Sequence, residues 1–472
     1  MKTMKFNHLL ILIFSLLCVK GAFAQQADNT KPNIIMIMAD DLGYGDVGFN
    51  GNPFIKTPEL DKMASSGLQF TRFYSAAPVC SPTRGSCLTG RHPDRYGIYL
   101  ANVGHLKKEE VTIAEVLKEY GYTTGHFGKW HLGTLTKSEL DGRRGGRENE
   151  HYSPPWENGF DVCFSAEAAM PTSNPMENQP FPTKYWTGPG EFATQNLAGS
   201  SSKVIMDRII PFIENAVTDN KHFFAVVWFH VPHAPVVAGQ PYLDLYSGFD
   251  ENHQHYYGCV SDMDEQIGRL RNVLMQLKVH ENTIVFFTSD NGPAGEGGGV
   301  LQYPGKRQQG SSGMFRGRKG SLYEGGIRVP ALLEWPAKFG NHQKIGIPLT
   351  TSDYYPTILS LLNIQCSYQP RPLDGIDFLP LLTENKAGRP QPIAFKSVAQ
   401  RAYMDNQYKI YSQDDGQHYE LYDLLNDPSE TINIAMQKPE LIKIMAYNLE
   451  EWIKSCRFSE KGEDYLKQKA KR

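Results

Sequence analysis

Cysteine is sparse: seven in 472 residues, irregularly spaced and without a Cys-x-x-Cys pair. That pattern supports neither a structural zinc site nor a disulfide scaffold, and leaves room for one or two disulfides in an exported chain. A surplus of positive charge is lacking too. Lys and Arg total 48 against 51 Asp and Glu, a formal net charge of −3, so no basic field points to nucleic acid. No internal repeat is visible. Beyond the N-terminus no apolar run approaches the ~20 residues of a membrane span, so no stable membrane anchor is expected.

The N-terminus itself has the form of an export signal. Lys2 and Lys5 precede an apolar run over 9–19, and Ala22-Phe23-Ala24 has the small-x-small form of a cleavage site. Residues 1–24 therefore read as a signal peptide, with a mature chain from Gln25 that works in the periplasm or is secreted. Leu17 is too bulky for Cys18 to serve as a lipid anchor.

The mature chain is too long for one small core and divides into two units. Residues 33–39 are almost continuously apolar, the mark of a strand buried on both faces in a parallel sheet. Similar runs at 222–229 and 283–288, and shorter ones at 122–127 and 329–335, alternate with helical patterns. This predicts an α/β domain over 25–385 with a mostly parallel, helix-flanked sheet. Short alternating strands at 393–398, 401–404, 408–411 and 420–424, then a helix over 439–456, predict an α+β subdomain over 386–472, an antiparallel sheet covered by a helix. Residues 134–200 show little periodicity. So long an irregular stretch points to a functional loop, expected here to build part of a substrate pocket.

Chemistry gathers where the strands end. Asp40-Asp41 follow the first strand, Asp290-Asn291 follow 283–288, Lys129 and His131 follow 122–127, and His230 and His233 follow 222–229. Open α/β sheets bind ligands at these carboxyl ends. Brought together, Asp40, Asp41 and Asp290 would repel one another unless a cation compensates. All-oxygen ligands select Ca²⁺, or Mg²⁺, over zinc. Arg84, Lys129, His131, His233 and Lys319 would ring that ion and hold a tetrahedral oxyanion, a phosphate or a sulfate ester. The glycine-rich stretch 292–320 that carries Lys319 reads as a shaped active-site loop rather than a linker.

One stretch organises the rest: Cys80-Ser81-Pro82-Thr83-Arg84, followed by Leu88-Thr89-Gly90-Arg91. Pro82 suits the first position of a helix and Ser81 its N-cap. Cys80 would then lie just outside a helix N-terminus, where the dipole and free N–H groups favour an anion. A lone cysteine is more often a buried small hydrophobe. The residues around this one argue otherwise.

The stretch resembles the signature of the formylglycine-dependent sulfatases, a branch of the alkaline-phosphatase-like superfamily with a large mixed, mostly parallel sheet. The similarity runs from Lys31-Pro32-Asn33 through Leu421-Tyr422-Asp423-Leu424 and Asp427-Pro428. It implies that a maturation enzyme oxidises Cys80 to Cα-formylglycine, whose hydrate attacks sulfur and later expels sulfate. It implies Asp40, Asp41, Asp290 and Asn291 as ligands of a calcium ion, with residue 80 also touching it. Arg84 and Lys129 would hold the formylglycine oxygens, and His131 would take the proton that releases sulfate. Lys319 and His233 would bind sulfate, His233 also protonating the leaving alcohol. His230 is the nearest competitor to His233 and is expected to pack at the strand end. The implied substrate is a sulfated saccharide. Arg95, His105 and Trp186 fall in segments expected to rim its pocket. The other histidines, such as His92 and His126, match no core position. A phosphatase or phosphonate hydrolase of the same superfamily is the alternative, and its phosphatase members use two zinc ions held by histidines missing here. A non-catalytic glycan binder would result if Cys80 stayed unoxidised.

Overall fold

The computed structural model describes residues 31–144, 150–295, 307–384 and 388–465. The expected signal peptide, the glycines at 145–146 and 297–299, and the 385–386 boundary lie outside these residues.

A ten-stranded mixed sheet forms the centre. Its order is Gln343–Ile345, Leu68–Phe70, Ala331–Glu334, Thr283–Ser289, Asn33–Ala39, Phe223–Trp228, Thr123–Lys129, Val162–Ala166, Trp186–Gly188, Glu191–Phe192. The five strands from Thr283–Ser289 to Val162–Ala166 run parallel, with antiparallel pairings toward both edges. Asn33–Ala39 shows why its run had to be apolar throughout. Ile34, Met36 and Met38 enter one core with Leu88, Ile113 and Tyr354. Ile35, Ile37 and Ala39 enter the other, with Ile209 of helix Ser201–Thr218 and Val260 of helix Glu251–Gln276. Each such side chain contributes about 1.5–3 kcal/mol on full burial.

Local signals set the helix ends. Thr112 and Glu115 form a capping box at Ile113–Glu119, and Thr57 and Gly67 flank Pro58–Ser66. Helix Ser201–Thr218 continues through Pro211. Residues 134–200 hold more order than expected: three strands, Val162–Ala166, Trp186–Gly188 and Glu191–Phe192, extend the sheet. The last two are only three and two residues long, too short for a periodicity to register. The six described cysteines are all free and buried, so no disulfide forms among the described residues.

The C-terminal subdomain is a four-stranded antiparallel sheet, Ile393–Ser397, Gln400–Met404, Tyr408–Ser412 and Glu420–Asp423. Ile410 and Leu421 pack under helix Pro439–Glu460 through Met445, Leu449 and Ile453. Tyr411 and Tyr422, one residue on, face the other way against Tyr74, Leu322 and Tyr323 of the large domain. The period-two alternation of these strands therefore glues the subdomain to the loop that follows Lys319.

Glu334, almost wholly buried at the end of its strand, accepts two hydrogen bonds from Arg271 at 2.9 and 2.6 Å. Burial is the largest influence and raises its pKa, but Arg271 and His280 outweigh it and bring the carboxyl down to about 2. A depressed native pKa stabilises the fold above the unfolded value near 4.5, and that stabilisation is lost as pH falls toward 2. Glu334→Gln is therefore expected to lower stability at neutral pH and to flatten the acid limb of a stability-versus-pH curve, by up to about 3 kcal/mol. Parallel acid limbs for the two proteins would contradict this.

Candidate active site

The site follows from sheet register. Gly128, Trp228, Met38 and Thr288 lie side by side across four parallel strands. One residue further stand Lys129, Ala39 and Ser289, and one further again Asp40 and Asp290. The chain therefore delivers its basic and acidic groups to one sheet edge at one level. Backbone bonds pin the strand ends: Asp40 N–H donates to Val231 O at 2.8 Å, and Asp290 N–H to Ala39 O at 3.2 Å. Asp41 and His131, which follow the strand ends, adopt φ of 70° and 59°. Left-handed backbone at non-glycine residues is held only where surrounding structure enforces it.

Helix Cys80–Thr89 aims the signature at this edge. It begins at Cys80 itself, with Val79 in the N-cap position and no side-chain cap, two residues earlier than the Ser81-Pro82 signal suggests. Cys80 is thus in the first turn rather than outside the helix. Cys80 and Arg84 are four apart and share one helix face. Arg84 is wholly buried, donates to Asp290 Oδ2 at 2.6 Å and to Lys129 O at 3.2 Å, and lies 3.5 Å from Asp40 Oδ1. Its guanidinium also lies 5.2 Å from the centre of the Trp228 ring.

The other cations pair in the same way. Lys129 Nζ donates to both oxygens of Asp40, at 3.0 and 2.7 Å. Lys319 Nζ donates to both of Asp41, at 2.6 and 2.8 Å. Burial raises the Asp41 pKa, but Lys319, His233 and Lys129 outweigh it and hold the carboxyl well below its usual range. Burial and the neighbouring charge of Asp40 push Asp290 the other way. His233 Nε2 sits 3.8 Å from Asp41 Oδ2. Burial, with help from Lys319 and Lys129 and against Asp41, brings His233 down to about 3. Its Nδ1 lies 2.6 Å from the Ala234 carbonyl, which can only accept. The neutral ring therefore carries its proton on Nδ1 and leaves Nε2 bare. His131 is arranged the opposite way: Nε2 donates to Asn102 Oδ1 at 2.6 Å, and its buried Nδ1 has no partner among the described residues.

These residues fit a hard divalent cation. Asp40, Cys80 and Asp290 each offer an atom within 4.8 Å of the others'. Asn291 Nδ2 donates to Asp41 Oδ1 at 2.8 Å, while Asn291 Oδ1 is buried without a hydrogen-bond partner among the described residues. A buried orphan acceptor costs about 1–3 kcal/mol. Three carboxylates beside a free amide oxygen are the donor set of calcium or magnesium.

Above this cluster opens a cavity of about 290 Å³ whose floor is Asp41, Cys80, Lys129, His131, His233 and Lys319. Arg143, Ala168, Ala169 and Phe181, from the stretch 134–200, supply part of its wall. His230 does not line it: wholly buried, its Nδ1 accepts from Met170 N–H at 3.3 Å. Arg95, His105 and Trp186 do not line it either. Arg95 is buried and forks onto Asp374 at 2.7 and 2.8 Å, tying the signature segment to the terminal helix through Ser455 and Ser459. Trp186 is buried in the sheet, its indole N–H donating to Asp141 at 3.2 Å. His105 lies half-buried with its Nδ1 3.3 Å from His151 Nδ1. Two cavity residues carried no sequence signal. Asn102, at φ 66°, looks like any turn former, and Gln308, whose Nε2 reaches Asp41 Oδ2 at 3.5 Å, hides in the glycine-rich stretch.

A mostly parallel α/β sheet that ends in buried carboxylates, an orphan amide oxygen and paired cations defines an alkaline-phosphatase-like hydrolase of oxyanion esters. The sulfatase family model matches residues 32–364, and the model of the N-sulphoglucosamine sulphohydrolase C-terminal region matches 310–457. The chain belongs to the sulfatase family and is a sulfuric ester hydrolase. It is 33% identical over 399 residues to N-acetylgalactosamine-6-sulfatase of Canis lupus familiaris, covering 79% of this chain and 69% of that protein. It is 34% identical over 378 residues to arylsulfatase A of Bos taurus, covering 75% and 68%. The crystal structure of Ps i-CgsB in complex with k-i-k-neocarrahexaose superposes with a TM-score of 0.75 at 27% identity, over 89% of this chain and 92% of that one.

Proposed function

We propose that this sulfatase is exported and removes sulfate from a sulfated saccharide, with Cys80 matured to Cα-formylglycine and a calcium ion, or magnesium, held by Asp40, Asp41, Asp290 and Asn291. The observation that carries this reading is the position of Cys80 on the cavity floor, its sulfur within 4.8 Å of ligand atoms of both Asp40 and Asp290. The form of residues 1–24 supports export. An ion held there would supply charge neutralisation and Lewis-acid polarisation. The hydrated aldehyde supplies two hydroxyls, one to attack sulfur and one to expel sulfate.

This chain's own groups do the rest. Asp40, Asp41 and Asp290 carry three negative charges against three positive ones on Arg84, Lys129 and Lys319. A divalent ion would leave a surplus of two, which a sulfate monoester and an ionised hydroxyl at residue 80 together cancel. Lys319 and His233 bind the sulfate oxygens, and Arg84 and Lys129 orient residue 80. His233 is neutral in the free site, so the negative substrate must draw a proton onto Nε2, which then passes to the leaving alcohol. His131, its Nε2 fixed by Asn102, keeps a bare Nδ1 to accept the proton freed when sulfate departs. A saccharide aglycone is supported by the relatives' names, N-acetylgalactosamine-6-sulfatase and the neocarrahexaose complex, and by a cavity sized for one sugar ring.

A desulfation screen over defined galactose, N-acetylgalactosamine, glucosamine and uronate sulfates tests the reading. Release from at least one is expected, with loss on chelation and recovery on adding calcium. No release from any of them by enzyme with converted Cys80 would overturn it.

A further inference from the structure

Each cation on the cavity floor is already matched by a carboxylate: Lys129 by Asp40 at 2.7 Å and Lys319 by Asp41 at 2.6 Å. Arg143 differs. It lines the same cavity from the wall, and its side chain is exposed to solvent. It has no carboxylate partner among the described residues. Its guanidinium lies against an aromatic face: Cζ is 4.1 Å from the centre of the Phe181 ring, which also lines the cavity.

Neighbouring bonds hold this pair in place. Arg143 N–H donates to Glu167 Oε2 at 3.3 Å, and the other oxygen of Glu167 takes Arg144 at 2.8 Å. Arg144 in turn donates to Ser81 Oγ, one residue from Cys80, at 3.0 Å. The backbone that bears Arg143 is thus anchored, through Glu167 and Arg144, to the signature helix. The charge of Arg143 also reaches His131 on the floor, where it is among the influences that, after burial, lower that histidine's pKa. A flat guanidinium stacked on a ring presents its remaining N–H fork edgewise and has little rotamer freedom left to lose. Ala168, Ala169 and Pro180 beside it are small and apolar, suited to the face of a sugar ring. A cation without a carboxylate partner among the described residues, stacked on a ring in the wall of the cavity that holds the sulfate site, is the complement of a second anion.

We propose that Arg143, laid on Phe181, reads a second anionic group, a carboxylate or a further sulfate ester, on the saccharide whose scissile sulfate is bound over Cys80; this rests on the glycan-sulfatase reading. Arg143 is then the specificity-determining residue of the pocket wall. Bidentate pairing with an anion is worth about tenfold or more in affinity.

The test measures binding by calorimetry to the full chain carrying Cys80→Ala, so that no turnover intervenes. Each monosulfated sugar of the panel is offered in three matched forms: sulfate alone, with a neighbouring uronate carboxylate, and with a second sulfate. At least one doubly anionic form is expected to bind ten times or more tighter than its monosulfated counterpart, and which one identifies the anion. Adding Arg143→Gln is expected to collapse that ratio toward one, and Arg143→Lys to keep part of it. A ratio near one with Arg143 present, or one that survives Arg143→Gln, would overturn the role of Arg143 while leaving the glycan reading standing. Failure of every saccharide to bind would overturn the glycan reading, and Arg143's role with it.

Discussion

Cys80→Ala is expected to abolish sulfate release, by at least about 10⁴-fold, with the fold intact. Residue 80 stands on the cavity floor beside Asp40 and Asp290, while the floor ammonium groups of Lys129 and Lys319 are paired with Asp40 and Asp41. Alanine removes it and leaves the paired cations in place, so the thermal midpoint should move little. Cys80→Ser is the sharper variant. A serine hydroxyl can accept the sulfuryl group once, but it has no second hydroxyl to expel it. Rapid single-turnover kinetics should then show loss of the aryl or sugar alcohol without release of sulfate. Steady turnover by either variant would remove residue 80 from the mechanism.

Lys409→Met is expected to destabilise the protein by about 3–5 kcal/mol. Lys409 belongs to the C-terminal subdomain but is wholly buried, with Nζ 3.0 Å from Glu324 and 2.9 Å from Glu430. Burial is the largest influence on Glu324 and raises its pKa, yet Lys409 and Arg328 outweigh it and keep the carboxyl ionised. Burial, joined by the charge of Glu324, pushes Glu430 up, against the pull of Lys409. Removing the lysine leaves two carboxyls buried beside each other. Glu324 begins the helical turn Glu324–Ile327, and its N–H donates to Glu430 at 2.6 Å. The loop before it is held by the same subdomain, since Gln400 donates to Gly320 O at 2.7 Å, next to Lys319. The midpoint of thermal unfolding should fall, and Lys409→Met with Glu430→Gln should recover part of the loss. An unchanged midpoint in the single variant would contradict this. The C-terminal sheet is therefore a support for the loop that carries Lys319, rather than an appendage.

Much of this arrangement can be read from residue patterns. Strands buried on both faces must be apolar throughout, so 33–39, 222–229 and 283–288 reveal both themselves and the residues that follow them. Asp40, Asp290 and Lys129 meet because adjacent parallel strands end in register, a consequence of the sheet alone, whereas His233, five residues past Trp228, is brought in by the turn in which its N–H donates to His230 O at 2.9 Å. What stayed hidden depends on long-range pairing. Arg95 has the type and position of a pocket residue, but Asp374, far along the chain, takes it into the core. Trp186 is likewise claimed by Asp141 and by the sheet. Asn102 and Gln308 are polar residues in loops, and only the folded chain shows that they face His131 and Asp41. The start of the signature helix was displaced by two residues because Val79, in extended conformation, serves as N-cap without a side-chain hydrogen bond, which no capping rule anticipates.

The central claim is that residue 80 acts as an aldehyde and not as a thiol. The direct test prepares the enzyme at several extents of maturation. Mass spectrometry of the peptide spanning Cys80 gives the converted fraction, and sulfate release is measured on the same samples with calcium present. The account predicts release proportional to the converted fraction and extrapolating to zero where residue 80 is all thiol. Full release from protein in which Cys80 is entirely unmodified would contradict it.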